Sequence, residues 1–160
     1  MAESAGPTVQ LDGNPLLLER QVCFALAVAN RSVLKVYRRL LEPLGLTHPQ
    51  YLVMLALWET SPRSVKSLGA ALQLESATLS PLLKRLESAG LVARQRRDDD
   101  ERNVDIALTD FGRALRRDAL AIPPAVVEAL GVDVETLEEL HGVLIRVNKA
   151  AVQAEENRAG

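Results

Sequence analysis

The stretch Ser64-Val-Lys-Ser-Leu-Gly-Ala-Ala-Leu-Gln-Leu-Glu-Ser-Ala-Thr-Leu-Ser-Pro-Leu-Leu-Lys-Arg-Leu-Glu-Ser88 decides the fold. It reads as two short helices joined by a tight connection. Ser64 is a capping residue ahead of Val65–Leu72, and Gln73-Leu-Glu75 has room only for a turn. Ser76 to Ser88 is helical again, and Gly90 stops it. Leu68, Ala71 and Leu72 are predicted to anchor the first helix, and Leu79, Leu82, Leu83 and Leu86 the second. Ser76, Thr78, Ser80, Pro81, Lys84 and Arg85 then form the outer side of the second helix. Small hydroxyls at a helix N-terminus suit entry into a major groove, where they and the backbone N–H groups reach phosphates or base edges. A helical hairpin with solvated serines fits the same residues, so the flanking sequence has to separate the two.

Downstream, the periodicity changes. Leu91-Val-Ala-Arg94 and Val104-Asp-Ile-Ala-Leu108 read as two short antiparallel strands, the second alternating Val104, Ile106 and Leu108 against Asp105 and Ala107. The charged run between them is a hairpin tip. Arg94, Arg96 and Arg97 stand at its base, and Arg102 follows the acids Asp98 to Glu101. Those acids suit a DNA-facing tip if Asp100 orients Arg102 through a charge-assisted hydrogen bond. Arg102 then projects into a narrow minor groove. Two helices followed by such a hairpin make a winged helix-turn-helix.

Upstream, Asn14 and Pro15 form a helix-start signal, and an apolar pattern continues to about Leu41 through Leu16, Leu17, Phe24, Leu26, Val28, Leu34 and Tyr37. A helix of about 27 residues is long for a globular domain. Pro43 and Gly45 end it. Thr47 and Gln50 have capping-box spacing, with Pro49 in the first turn, and Tyr51–Trp58 is almost wholly apolar and expected in the core. Beyond the hairpin, Thr109 caps a helix that is interrupted near Pro123-Pro124 and Gly131. A last helix runs from about Val134 to Asn157, with Leu137, Leu140, Leu144, Val147 and Ala151 at helical spacing. Both terminal helices are more apolar than a small winged module needs, so they are expected to pack across a two-fold axis. The expected fold is mainly α with a small β-hairpin wing, an intertwined homodimer joined by its N- and C-terminal helices. The expected layout is a loose tail over 1–13, a dimerisation helix over 14–46, the winged helix-turn-helix over 47–112 and further dimerisation helices over 113–157. Such a dimer presents two reading helices to successive turns of a pseudo-palindromic double-stranded site.

The composition agrees with a globular domain. The chain has 160 residues, 48% hydrophobic and 25% charged, enough for one sizeable core. The net charge of -2 gives no global attraction to nucleic acid, so any basic face is local. Only Lys35, Lys66, Lys84 and Lys149 of the 19 basic residues are lysines, a bias toward bidentate recognition. No apolar run approaches a membrane span and no signal peptide is read, which points to a reduced cytoplasmic setting. No metal site or cofactor is expected.

The chain has one cysteine, Cys23, in the apolar stretch Val22-Cys-Phe-Ala-Leu-Ala-Val-Ala29. It is either a small buried hydrophobe or a reactive thiol. An intrachain disulfide is impossible.

Leu86-Glu-Ser-Ala-Gly-Leu-Val-Ala-Arg94, Asp99-Asp-Glu-Arg102 and Val104-Asp-Ile-Ala-Leu-Thr-Asp-Phe-Gly112 resemble the MarR family of winged-helix regulators. The likeness spans about residues 14–155. More narrowly, Gln21-Val-Cys-Phe24, Tyr37, Pro49-Gln-Tyr51, Leu57-Trp-Glu59, Val65-Lys66 and Leu82-Leu-Lys-Arg85 are similar to the organic hydroperoxide resistance regulators of that family. The resemblance implies a homodimeric repressor whose cysteine is oxidised by organic hydroperoxides, after which the dimer leaves its operator and a resistance gene is derepressed. The sensing cysteine falls on Cys23. Two tyrosines of the partner subunit hydrogen-bond that thiolate in the family; one falls on Tyr37, and the other position holds His48. A histidine also donates a hydrogen bond, but it can carry charge near neutral pH. Arg102 takes the position of the wing-tip arginine, with Asp100 beside it.

Cys23 and Tyr37 are fourteen residues apart, about 21 Å along one helix, so an intersubunit sensor is expected, with Cys23 of one chain facing Tyr37 and His48 of the other. With a helix starting at Pro15, the positive helix end is expected to help Cys23 little unless the chain kinks, and the donors then come mainly from side chains. Oxidation leads to a sulfenic acid and then to a mixed disulfide with a small thiol, a sulfenamide or overoxidised acids. Three rivals stand beside this reading: a MarR-type repressor released by a small aromatic ligand, with Cys23 structural; a one-cysteine thiol peroxidase; and a structural adaptor using only its dimer face, which the wing arginines and the outer side of the second helix argue against. No resolving cysteine accompanies Cys23, and His141 stands alone in a helical pattern, so an enzyme is not expected.

Overall fold

The computed structural model describes residues 13–96 and 104–159. The chain divides after Lys35 into two compact units.

In the first unit a 3-10 turn, Leu18–Arg20, precedes helix α1, Val22–Leu41. The helix therefore starts seven residues later than Pro15, and it is 20 residues long rather than about 27. The reason is local. The Asn14 side chain accepts a hydrogen bond from the Leu16 N–H at 3.0 Å. The Gln21 side-chain amide donates to the carbonyls of Pro15 (2.6 Å) and Leu17 (3.1 Å), taking acceptors that a helix would have used. Leu17 and Gln21 are both extended, with ψ of 127° and 118°. Regular α-bonding begins where the Gln21 carbonyl accepts from Ala25. Cys23 is consequently the second residue of α1. The apolar side chains of this unit, Leu16, Val22, Phe24, Leu26 and Val28 among them, remain exposed in the single chain.

The second unit begins inside α1. Leu41 closes that helix with its side chain fully buried, and a 3-10 turn, Glu42–Leu44, carries Pro43. Helix α2 spans His48–Glu59 and opens on the expected capping box. The Gln50 N–H donates to Thr47 Oγ1 at 3.4 Å, and the Thr47 N–H donates to Gln50 Oε1 at 2.8 Å. Tyr51, Val53, Met54, Ala56 and Leu57 are buried as predicted, whereas Leu52 and Leu55, three residues apart on one face of α2, stay exposed because the core covers the other face.

A two-residue strand, β1 (Arg63–Ser64), leads into α3 (Val65–Leu72), whose first turn is held by Ser64 Oγ accepting from the Ser67 N–H. Helix α4 spans Ser76–Ser88. It ends in a Schellman motif: Gly90 has φ 73°, its N–H donates to the Glu87 carbonyl, and the Leu91 N–H donates to the Leu86 carbonyl. Leu91 therefore belongs to the helix end, and strand β2 runs over Val92–Arg96. Strand β3, Val104–Leu108, pairs antiparallel with β2 in the register Val92↔Leu108, Arg94↔Ile106, Arg96↔Val104. Its other edge takes β1, giving the order β1-β3-β2. As the middle strand, β3 buries Ala107 as well as Ile106 and Leu108, so the predicted alternation fades at its end. The sequence missed β1, since two residues carry no period.

Three helices follow: α5 (Asp110–Ala119), capped by Thr109, α6 (Ile122–Leu130) and α7 (Val134–Ala159). One core joins α2, α3, α4, the sheet, α5 and α6; Leu57, Leu68, Leu79, Leu83, Leu86 and Ile106 are almost wholly enclosed. Ala71, predicted as an anchor of α3, is exposed, and Leu68 does that work with half-buried Leu72. Among the described residues no helix is long and apolar enough to cross a membrane.

The second core feature is a backbone junction at the wing base. Thr109 Oγ1 donates to the Gly90 carbonyl at 2.6 Å and accepts from the Gly112 N–H at 3.0 Å. The Trp58 indole N–H donates to the Gly112 carbonyl at 2.9 Å. A β-carbon on Gly112 would lie 2.0 Å from the Leu91 carbonyl oxygen, so only glycine fits. Gly112→Ala is expected to lower the unfolding free energy by about 2–3 kcal/mol, read as a lower urea midpoint; an unchanged midpoint would contradict the close approach.

Candidate functional site

Two groups of side chains can carry function. The first is the outer side of α4. Ser76, Thr78, Ser80, Pro81, Lys84 and Arg85 are all exposed, while Leu79, Leu83 and Leu86 are buried and Leu82 is half-buried against the same core. The helix thus presents its hydroxyls from its first turn and its two cations farther along. Pro81 lies inside the helix and lacks the N–H that would bond four residues back, so the first turns are free of one ladder bond. Glu75 at the N-cap makes no side-chain cap bond; within the first turn the Thr78 N–H donates to the Glu75 carbonyl at 3.0 Å.

The β2 arginines differ from one another. Arg94 Nε donates to Glu87 Oε2 at 3.2 Å, with both side chains about two-fifths exposed, so this surface pair contributes little and leaves the remaining guanidinium donors outward. Arg96, at the last β2 position opposite Val104, is exposed. Arg97, Asp100 and Arg102 lie outside the described residues. Arg63, which sequence reasoning did not single out, is structural: it donates to Ser67 Oγ and to the Ala56 carbonyl, both at 3.2 Å, tying the end of α2 to α3.

The second group concerns the thiol. Cys23 is exposed. As the second residue of α1 it sits among N–H groups that have no intrahelical acceptor and that carry the positive end of the helix dipole. The break in the helical pattern before Val22 is the condition under which the helix end is expected to reach Cys23. Within the second unit, Tyr37 and His48 are in contact, ring centroids 4.8 Å apart and edge to face. Tyr51 stands 6.1 Å from Tyr37 and 6.4 Å from Trp58, which continues the row of rings to the Gly112 junction. Burial lowers the His48 pKa below its ordinary 6.5, which favours the neutral imidazole at neutral pH. Burial, and then the neighbouring Tyr37, raise Tyr51 above 10.0, so its phenol stays protonated. Sequence spacing could not reveal the Tyr37–His48 contact, because a turn and a helix start intervene. His141 is exposed on α7. Among the described residues no cluster of His, Cys, Asp or Glu could hold a metal ion.

Comparison with known proteins adds the family. Residues 35–118 match the family model described as transcriptional regulator SarA/Rot. The organic hydroperoxide resistance transcriptional regulator of Bacillus subtilis (strain 168) is 42% identical over 79% of this chain and 86% of its own length. A crystal structure of overoxidized AbfR bound to DNA, a Staphylococcus epidermidis protein, is 38% identical with a TM-score of 0.65, covering 81% of this chain and 94% of that one. CouR from Rhodococcus jostii RHA1, solved bound to p-coumaroyl-CoA, is 27% identical with a TM-score of 0.70, covering 82% and 94%. A winged helix-turn-helix with this core, matched to regulators over most of its length, is not an enzyme: the chain belongs to the MarR/SarA-type family of DNA-binding transcriptional regulators, and within it is similar to the organic hydroperoxide resistance regulators.

Proposed function

We propose that the chain works as a homodimeric repressor that holds a pseudo-palindromic operator while Cys23 is reduced and leaves it when an organic hydroperoxide oxidises that residue. The observation that carries this reading is an exposed lone cysteine in the first turn of α1. The 42% identity to an organic hydroperoxide resistance regulator supports it. The exposed apolar side chains of α7, Leu140, Leu144, Val147 and Val152 among them, support a dimer, since an apolar row of this length on a helix calls for a covering partner. In that dimer Cys23 of one protomer meets Tyr37 and His48 of its partner. The 4.8 Å contact between those two rings makes them a single unit that can receive the thiolate.

The chemistry balances without a second cysteine. The Cys23 thiolate attacks the terminal oxygen of the hydroperoxide. An S–O bond forms, the O–O bond breaks, and the departing alkoxide takes a proton to become an alcohol. The sulfenic acid then condenses with a small cellular thiol, releasing water and leaving a mixed disulfide, or it is oxidised further by more peroxide. Tyr37 donates a hydrogen bond to the sulfur, and neutral His48 donates one without adding charge. On the DNA side α4 enters the major groove, with Ser76, Thr78, Ser80 and Pro81 toward the bases and Lys84 and Arg85 toward the backbone. Arg94, Arg96 and Arg97 face phosphates at the wing base, and Arg102, oriented by Asp100, enters the minor groove.

A second reading, a repressor released by a small aromatic ligand, is favoured by one observation. A cavity of about 250 Å³ lies between α2, α5 and α6, lined by Tyr51, Leu55, Trp58, Glu59, Arg116 and Leu120, and CouR was solved with p-coumaroyl-CoA.

Cys23→Ser is expected to bind the DNA upstream of its own gene as the wild type does and to stay bound in cumene hydroperoxide, read by mobility shift. Release of the serine variant by peroxide sinks the sensor, and its release by an aromatic acid favours the second reading. Lys84→Ala and Arg85→Ala should each reduce the slope of log affinity against log salt by about 1, and Arg102→Ala should weaken binding at physiological salt; unchanged values would remove these residues from the interface. The lowered His48 pKa sets a third outcome. The unfolded chain takes up the His48 proton near pH 6.5, before the folded one does, so stability from this residue is present above pH 6.5 and is lost as pH falls below it. The melting temperature should drop between pH 7 and 5.5 more steeply in wild type than in His48→Tyr, and their peroxide oxidation rates should run parallel from pH 7 to 8. Equal melting profiles, or rates diverging above pH 7, would refute a neutral His48.

A further inference from the structure

Gln73 closes α3 and stands three residues before α4, in a backbone conformation that its residue type does not favour. Its φ of 53° and ψ of 43° are left-handed, a region that glycine enters freely and side-chain-bearing residues do not. Asn148 is also locally out of place. It lies in the interior of α7, where asparagine competes with the helix for hydrogen bonds. The two meet: Asn148 Nδ2 donates to Gln73 Oε1 at 3.1 Å across 75 residues of sequence. Ile145, Lys149 and Val152 of α7 line the same cleft with Gln73. None of the described side chains of α7 is buried in the protomer, so packing into the core does not set the position of this helix. The left-handed backbone of Gln73 is that of the motif that ends α3, in which the Gln73 N–H donates to the Ala70 carbonyl and the Leu74 N–H to the Gly69 carbonyl, and the exposed Asn148 bond adds a link from this turn to α7.

We propose that Gln73 and Asn148 form a latch that sets the angle of α4 against α7, so that DNA affinity depends on a contact that touches no DNA. The latch rests on the reading of α4 as the DNA-reading helix. It makes α7 a lever: a shift of α7 at the dimer seam pulls on the residue that introduces α4. Gln73 and Asn148 are positioning residues, and a glycine at position 73 would keep the turn while losing the latch.

The test is a double-mutant cycle on the full-length protein, read by fluorescence anisotropy with a labelled duplex from the DNA upstream of its own gene at fixed salt. Gln73→Gly and Asn148→Ala should each weaken binding about five-fold, the effect of one hydrogen bond, and the double variant should be no weaker than either single one. The melting temperature of Gln73→Gly should equal or exceed the wild type's, because backbone strain is relieved. Q73E combined with N148K should recover affinity through a charge-assisted bond. Single variants that bind like wild type, effects that multiply in the double variant, or affinity losses that track melting temperature would each overturn the latch. Arg85→Ala separates the two levels. If it weakens binding while Gln73→Gly and Asn148→Ala do not, the latch alone fails; if it too leaves binding unchanged, the reading of α4 fails with it.

Discussion

The carbonyl of Leu91 and the backbone of Gly112 approach so closely that no β-carbon fits between them, and the rest of the DNA-binding module is organised around that approach. Leu91 is the last residue of the motif that ends α4, and the next residue starts the wing. Gly112 lies in the first turn of α5. Thr109 bonds both Gly90 and Gly112, and the Trp58 indole reaches Gly112 from α2. Helix α4, the wing and the helix that leads away from them therefore share one corner. Burial of Leu79, Leu83 and Leu86 fixes which side of α4 faces outward, and the corner fixes where that side stands relative to the strands. A DNA-reading surface needs both, because base contacts depend on the register between helix and wing.

The row of rings from Tyr37 through Tyr51 to Trp58 ends on this same corner. The two residues proposed to receive the thiolate are thus packed into the element that supports the wing. His48 is held by the capped first turn of α2, and its half-buried imidazole favours the uncharged form. A neutral imidazole there offers an N–H without adding a charge. The Gln73–Asn148 contact ties α7 to the start of α4. Through it and the row of rings, the winged module is physically connected to the helices proposed for the dimer seam.

Local signals proved dependable where one residue type does one job within a turn. Thr47, Ser64 and Thr109 cap helices as their spacing indicates, and α4 keeps its sequence-derived bounds. Asn14 carries the same kind of signal and starts no helix, because Gln21, seven residues on, takes the carbonyls of Pro15 and Leu17. That one competition moved the start of α1 and turned Cys23 from a mid-helix residue into a first-turn residue, among N–H groups with no intrahelical acceptor.

The amino-acid sequence by itself determined the helix-turn-helix, its exposed hydroxyls and cations and the hairpin strands, because caps, apolar period and turn residues act within a few positions of one another; the family entered through the resemblance of whole stretches such as Leu86–Arg94 and Val104–Gly112. Only the tertiary structure decided the third strand β1, the burial of Ala107, the Gly112 corner, the Tyr37–His48 contact and the Gln73–Asn148 bond. Each of these joins groups that are distant in the chain, and no local preference of either partner announces the other.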